Sequence, residues 1–297
     1  MTSLRNRINK PIIAALLSAT LFLSCSGNKA DSTDLVVTIE PQRYFLEQIA
    51  GDKYTVTSLV SQGANPESFD PSPSQMMILS KSKAYFKIGF LGVENTLIEK
   101  LKDESKLNII DCSVGIDIIK QNHRHGNNNH HLYAHAGGDP HYWNSTVSAK
   151  TILTNMLNAM VKLDPENKII YTNNYQQEIA KISDTDSIIK DILSETESQA
   201  FVIYHPSLSY FAREHHLEQL SIEHEGKNPA PAQLKQLIDE AKEKKVKAVF
   251  VQQEFDTKNA EIIAREIGAE IYSINLLSYN WHDEMIKIAQ AIAQKHE

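Results

Sequence analysis

The chain has 297 residues, 41% of them hydrophobic and 23% charged, which is enough apolar material for one large or two ordinary folded domains. Acidic residues outnumber basic ones by 37 to 30, and the net charge of -7 argues against nucleic-acid binding. Two cysteines are too few for a disulfide framework, whereas many of the 12 histidines are concentrated in one segment.

The N-terminus has the features of an export signal. Three basic residues within the first ten positions precede an uncharged apolar run over residues 11–24. This run is shorter than an ordinary membrane-spanning helix but suits the hydrophobic part of a signal peptide. The Leu-Ser-Cys sequence that ends at Cys25 resembles a bacterial lipobox. We therefore predict a signal peptide over 1–24, lipidation of Cys25 and a tether over 25–34; a plain signal peptide with an incidental cysteine is the alternative.

From residue 35 onward, strand and helix patterns alternate in both halves of the chain. Short apolar or β-branched runs predict strands, at 35–39, 54–60, 84–88, 107–112, 200–204, 219–222, 248–251 and 270–274. Helical patterns follow most of them, from Pro41 and at 93–101, 207–215, 231–244, 258–267 and 283–294. Alternation of this kind predicts α/β architecture, with a small parallel sheet flanked by helices in each half. Residues 61–75 contain one glycine and three prolines and are predicted as a loop.

A long segment without glycine or proline separates the two halves. Over 166–198 most apolar residues fall on one helical stripe, which predicts one linking helix. The predicted organisation is therefore an N-terminal α/β domain at 35–165 and a C-terminal α/β domain at 199–297. A long helix between two domains acts as a strut and argues against a wide flexible hinge.

Five histidines lie within thirteen residues, beside a glycine and a run of asparagines: His123, His125, His130, His131 and His135. No hydrophobic period runs through 121–138, which predicts a polar loop in the N-terminal domain. Imidazole nitrogens suit zinc, copper and nickel, so the loop is a candidate auxiliary metal site. A solvated linker that is merely rich in histidine is the alternative.

Three further side chains occupy positions where an α/β protein can bind a ligand. His141 follows Asp139 and a proline, just before a predicted helix that Ser145 can cap. His205 ends the strand that opens the second half, and open α/β sheets bind ligands at the carboxyl ends of their strands. Glu67 follows the second predicted strand. Each has a plain structural alternative, because isolated histidines often belong to the core and loop glutamates are usually solvated.

Several of these segments together resemble one family. They are the Gly-Ala-Asn-Pro loop at 63–66, Asp-Pro-His-Tyr-Trp at 139–143, Leu-Asp-Pro-Glu-Asn at 163–167, Tyr-His at 204–205 and Val-Phe-Val at 249–251. The chain is similar, from about 35 to 295, to the zinc/manganese class of solute-binding proteins of ABC importers (cluster A-I). The His-rich segment resembles that of the zinc-specific members. The resemblance implies a metal ion in the cleft between two α/β domains.

The resemblance also implies a set of metal ligands. The family binds its metal with one residue from each of four places, and His141 and His205 match the second and third. Glu67 stands where the family usually has its first histidine, and a carboxylate is still a competent zinc ligand. The fourth place matches Asn275, whose neutral amide is a weak ligand, so its assignment is doubtful. His282 lies nearby in sequence and is a further candidate.

Two imidazoles and one carboxylate suit zinc, whereas manganese prefers more oxygen ligands. Manganese or ferrous iron is the alternative cargo. A zinc hydrolase uses a similar donor set, but the sequence has neither an HExxH nor a GxSxG motif. A surface adhesin is a third class. We predict a zinc-binding protein that is not an enzyme, is monomeric, is exported, and is lipid-anchored on a bacterial membrane facing the periplasm or the cell exterior. The resemblance implies that the partner of this protein is the membrane permease of a zinc ABC transporter.

Overall fold

The computed structural model describes residues 35–61, 63–101, 107–120, 138–194, 196–223 and 227–294. The predicted signal peptide, Cys25 with its tether, and the five histidines of the 121–138 loop lie outside these residues. No helix in the described ranges combines the length and the apolar character needed to cross a membrane.

The N-terminal lobe is built on a parallel sheet. Its strands are β1 (Leu35–Val37), β2 (Val56–Ser58), β3 (Ala84–Lys87) and β4 (Asn108–Asp111), in the spatial order β2-β1-β3-β4. In this register Val36 lies between Thr57 and Tyr85. The connecting helices are α1 (Glu40–Ala50), α2 (Pro73–Lys81) and α3 (Gly92–Leu101). Parallel neighbours need such crossover connections, so the helices cover the faces of the sheet.

The C-terminal lobe follows the same plan. Its strands are β5 (Ala200–Ile203), β6 (Glu218–Ser221), β7 (Ala248–Gln252) and β8 (Glu270–Ile274), in the order β6-β5-β7-β8. Its helices are α6 (Ser209–Glu214), α7 (Pro231–Glu243), α8 (Lys258–Ile267) and α9 (Trp281–Ala293). The predicted fold class, two parallel sheets flanked by helices, is confirmed. In each sheet the strand order reverses beside the lobe's first strand, which opens a crevice at the carboxyl ends there.

One long helix, α5 (Lys168–Leu193), lies between the lobes, and α4 (Thr146–Leu163) precedes it. Ser145 caps α4 as predicted, since its hydroxyl accepts a hydrogen bond from the Ser148 amide at 3.2 Å. Pro165 opens a short 3-10 turn between the two helices. The 26 residues of α5 lie within the predicted 166–198 segment and span about 39 Å.

Central strands such as β1 and β5 bury both faces, and their side chains alternate between clusters on the two sides of the sheet. In β1, Leu35 and Val37 belong to a large core, whereas Val36 packs with Tyr85 in a smaller cluster on the other face of the sheet. The large core also contains Phe250 of β7 and apolar residues of α4, α5 and α9. The two lobes therefore share one continuous core, which agrees with a strut rather than a wide hinge.

Two local predictions differ from the structure. Residues 61–75 were expected to form a loop, but α2 begins at Pro73 with a capping box, in which the Gln75 amide donates to the Ser72 hydroxyl at 3.3 Å and the Gln75 side chain accepts from the Ser72 amide at 2.8 Å. Cys112, expected inside a strand, is a buried free thiol that directly follows the end of β4 at Asp111.

Candidate metal centre

Three of the predicted ligands meet between the lobes. Glu67 lies in the loop after β2, His141 in the turn before α4, and His205 directly beyond β5. One ligand atom of each lies within 4.8 Å of the other two. The Glu67 Oε1 atom is 3.3 Å from His141 Nε2 and 3.2 Å from His205 Nε2. Segments that are far apart in sequence thus place two imidazole nitrogens around one carboxylate oxygen.

Carboxylates also orient both histidines from behind. Asp139 Oδ1 is 2.8 Å from His141 Nδ1 and accepts the His141 backbone amide at 2.9 Å. Glu223 Oε2 is 3.0 Å from His205 Nδ1. A carboxylate at Nδ1 keeps a hydrogen on that nitrogen and leaves the Nε2 lone pair for a metal, which is the usual support of a metal-binding histidine.

The backbone around His205 is held by its neighbours in the sheet. The Gln252 side chain of β7 accepts from the His205 amide at 3.3 Å and donates to the His205 carbonyl at 2.7 Å. The Phe255 ring stacks on the imidazole, with 5.4 Å between centroids and 16° between planes. In the facing lobe, the Glu67 amide donates to Asn65 Oδ1 at 2.8 Å, which fixes the loop as an Asx turn.

Two tryptophans connect the lobes beneath His141. The Trp143 ring lies 5.2 Å from the His141 ring, and its Nε1 donates to the Leu276 carbonyl at 2.9 Å. In return, Trp281 Nε1 donates to the Trp143 carbonyl at 2.8 Å. Both indoles are buried. The turn that carries His141 is therefore bound to the C-terminal lobe as well as to its own.

The site attracts positive charge. Burial lowers the pKa of His205, but the hydrogen bonds and negative charges of Glu223 and Glu67 outweigh it and raise the pKa to about 10. Burial likewise lowers the pKa of His141, and Asp139 together with Glu67 brings it above its ordinary value. Without a metal, a proton on each imidazole lies between the Nε2 atom and the Glu67 carboxylate. With neutral imidazoles, three electron-pair donors face one another, which favours a cation among them.

The donor set fits zinc. Zinc–nitrogen and zinc–oxygen bonds of about 2.0–2.2 Å in a tetrahedron place neighbouring ligand atoms roughly 3.3–3.5 Å apart. The two distances from Glu67 Oε1, 3.3 and 3.2 Å, are close to that range. Beside the two histidines lies a cavity of about 40 Å³. This is room for at least one more water-sized group, such as a fourth ligand.

The two remaining candidates take part in other contacts. Asn275 Oδ1 accepts the Leu277 amide at 3.1 Å, and Asn275 does not line the cavity. Its assignment as the fourth ligand stays a prediction. His282 is buried between helices, with Nδ1 2.7 Å from the Thr185 hydroxyl and Nε2 2.8 Å from Glu178. Both of its nitrogens serve to pack α9 against α5.

Three carboxylates around the site were not singled out from the sequence. Asp139 belongs to the Asp-Pro-His motif, but its role behind His141 was not inferred. Glu223 follows β6, and Glu254 follows β7 and lines the cavity. Both strands are direct neighbours of β5, which carries His205. Charged residues just after the two strands that flank β5 are the sequence signal from which Glu223 and Glu254 could have been found.

Comparison with known proteins agrees with this geometry. The family model described as "Zinc-uptake complex component A periplasmic" (ZnuA) matches residues 35–295. The "High-affinity zinc uptake system protein ZnuA" of Bacillus subtilis (strain 168) is 28% identical over 258 residues, covering 85% of this chain and 81% of that protein. The "Manganese ABC transporter substrate-binding lipoprotein PsaA" of Streptococcus pneumoniae serotype 4 (strain ATCC BAA-334 / TIGR4) is 24% identical over 281 residues, covering 88% and 87%.

Comparison with solved structures also agrees with this geometry. One described as "Crystal structure of ZnuA" superposes with a TM-score of 0.80 at 35% identity, covering 89% of this chain and 99% of that one. The family and the fold are those of solute-binding components of transporters and not of enzymes, as predicted. With a family model that spans all of the described residues, this chain belongs to the ZnuA family of zinc-uptake components.

Proposed function

We propose that this protein binds one zinc ion between its lobes and delivers it to the permease of an ABC importer. The observation that carries the proposal is the convergence of Glu67, His141 and His205, with a carboxylate behind each imidazole. The family supports zinc as the cargo. The ligands come from both lobes, so a bound ion joins the two sides of the cleft.

The residues of the site fall into two groups, those that bind the ion and those that orient the imidazoles. The two Nε2 lone pairs and the Glu67 carboxylate bind the ion, while Asp139 and Glu223 orient the imidazoles and stabilise the charge they carry. The imidazoles are nearly buried, with 7% of the His141 side chain and 14% of the His205 side chain exposed. Burial limits competition from water, and the exposed edge of Glu67, 23% of its side chain, leaves a route for the ion.

Manganese is the alternative cargo, because carboxylates surround the site and a manganese-binding relative covers most of the chain. Two imidazoles favour zinc, since manganese prefers more oxygen ligands and higher coordination. Metal analysis of the purified protein, followed by competition between zinc and manganese at pH 7.5, tests the choice. Retention of one zinc against excess manganese is expected, and displacement of zinc by equimolar manganese would contradict it.

A matched pair of variants tests the residues themselves. His205→Ala removes one imidazole and should weaken zinc binding by several orders of magnitude. His216→Gly is the control, because His216 is exposed and has a φ of 56°, which glycine adopts without strain. Chelator competition measures both affinities. Equal zinc affinity in His205→Ala and wild type would show that the site lies elsewhere.

The remaining parts of the chain complete the proposed pathway. We propose export by residues 1–24 and attachment of the mature monomer to a membrane through a lipid on Cys25, in keeping with relatives named as lipoproteins. The five histidines of the 121–138 segment act as auxiliary zinc ligands. Expression in a bacterial host followed by mass spectrometry tests the anchor. Wild type should carry lipid at its N-terminus and Cys25→Ser should carry none, whereas an unmodified Cys25 would refute the anchor.

A further inference from the structure

We propose that Glu254 is the fourth protein ligand of the metal and binds it from the β7 side of the cavity. This inference rests on the proposed function, because it concerns the same ion. It replaces the expectation that Asn275 completes the site. It also assigns a role to the turn after β7, which lies beside the strand that carries His205.

The fold places Glu254 at a ligand-binding position. The order β6-β5-β7-β8 reverses between β5 and β7, and ligands bind at the carboxyl ends of the strands on either side of such a reversal. His205 follows β5, and Glu254 follows β7 by two residues. In the register that pairs Ile203 with Phe250, His205 is level with Gln252, so Glu254 lies two residues further along, beyond the same end of the sheet.

The backbone of Glu254 is fixed relative to His205. It lies in a tight turn in which the Phe255 amide donates to the Gln252 carbonyl at 3.1 Å. Gln252 is hydrogen-bonded to the His205 backbone, and Phe255 stacks on the His205 ring. Both ends of the turn are thus attached to the same proposed ligand. Only the side chain of Glu254 is left to adjust.

Glu254 also supplies the acidic side chain of the cavity lining. Among the described residues it is the one acid in the cavity lining, together with His141 and His205. Other polar groups of the lining are already engaged: Gln252 with His205 and Ser207, and Asn65 with the Glu67 amide. The half-buried Glu254 carboxylate makes no hydrogen bond or ion pair with another residue in the described part of the chain.

A rotation of the Glu254 side chain would complete the coordination. Glu254 is not part of the group of ligand atoms that lie within 4.8 Å of one another, so its side chain must rotate to reach the ion. Three donors leave a tetrahedral zinc ion with one open position, which water fills in catalytic sites and a protein ligand fills in closed sites. A carboxylate that enters this position makes a set of two imidazoles and two carboxylates. The net charge of this ligand set is equal and opposite to that of a divalent ion.

The test compares Glu254→Gln with Asn275→Ala in the full mature chain. Glu254→Gln keeps the size of the side chain and should weaken zinc binding at least tenfold in chelator competition, and manganese binding more strongly, because manganese depends more on oxygen ligands. Asn275→Ala should stay within about twofold of wild type. Circular dichroism and the thermal midpoint of the metal-free variants check that both fold.

A crystal structure of the zinc-loaded wild type gives an independent readout. A Glu254 oxygen about 2.0–2.2 Å from zinc is expected. Wild-type affinity in Glu254→Gln, or a water in the fourth position with Glu254 turned away, would overturn the inference and leave the proposed function intact. A wild-type protein that binds no zinc would instead overturn the proposed function.

Discussion

Zinc binding to this protein should displace a proton from His205 even in mildly alkaline solution. An imidazole with an ordinary pKa of about 6.5 is neutral at pH 8 and releases nothing when a metal binds. Here Glu223 and Glu67 raise the pKa of His205 to about 10, so the metal-free site is protonated at that pH. The perturbation that tests this cause is Glu223→Gln. The amide oxygen can still accept the Nδ1 hydrogen, but the negative charge is gone.

The magnitude follows from the pKa. At pH 7.5 the proton must leave a group whose pKa lies about 2.5 units higher, which costs roughly 3 kcal/mol of zinc-binding free energy. Between pH 7 and 9 the zinc affinity should therefore rise about tenfold per pH unit from His205 alone. In Glu223→Gln the pKa of metal-free His205 falls, so fewer protons are displaced at pH 8.5 and the slope is smaller.

Isothermal titration in two buffers of different ionisation enthalpy counts the protons released per zinc, and chelator competition across pH 6–9.5 gives the slope. Wild type should release at least one proton at pH 8. A wild-type affinity that is independent of pH between 7 and 9 would refute the reasoning. So would a Glu223→Gln protein that releases as many protons as wild type at pH 8.5.

Further outcomes test the fold and the site. The folded-state pKa of His205 lies above its unfolded value, so its stabilising effect is complete below about pH 6.5 and is lost as the pH rises toward 10. Calorimetry of the metal-free protein should therefore show a lower thermal midpoint at pH 10 than at pH 7, and an equal or higher midpoint at pH 10 would contradict this. Deletion of 123–135 should keep one tight zinc equivalent in titration calorimetry, and its loss would place a loop histidine among the ligands. Phe250→Ala in the shared core should cost ~3–5 kcal/mol in urea unfolding, against under ~1.5 kcal/mol for Ile271→Ala, which is 40% exposed; similar costs would argue against the shared core.

The sheets could be predicted because parallel strands buried on both faces are continuous apolar runs, as in Phe201–Ile203. The start of α4 was predictable from its serine cap. The helix α2 was not predicted, because Leu79 is its only buried residue and its apolar side chains follow no clear period. Its start could have been found from the capping box at Ser72, a local signal that does not depend on periodicity.

The three converging side chains could be proposed as ligands from the family resemblance of their motifs, together with their positions beside a strand end or a helix start. Glu223 and Glu254 could not, because their relation to His205 depends on β6 and β7 lying on either side of β5. Strand order is a tertiary property that the local pattern does not contain. The raised pKa of His205 was missed for the same reason, as it arises from carboxylates of two distant segments.

The two hydrogen-bonded indoles beneath the site are an intrinsic fluorescence probe. Trp143 and Trp281 are the only two tryptophans in the sequence, and both are buried within one small region. One of them lies 5.2 Å from the ring of a proposed ligand. Intrinsic emission therefore comes from a single place in the molecule rather than from an average over it. Metal loading can be followed by unlabelled fluorescence, and a paramagnetic ion in the same position should quench emission that zinc leaves intact.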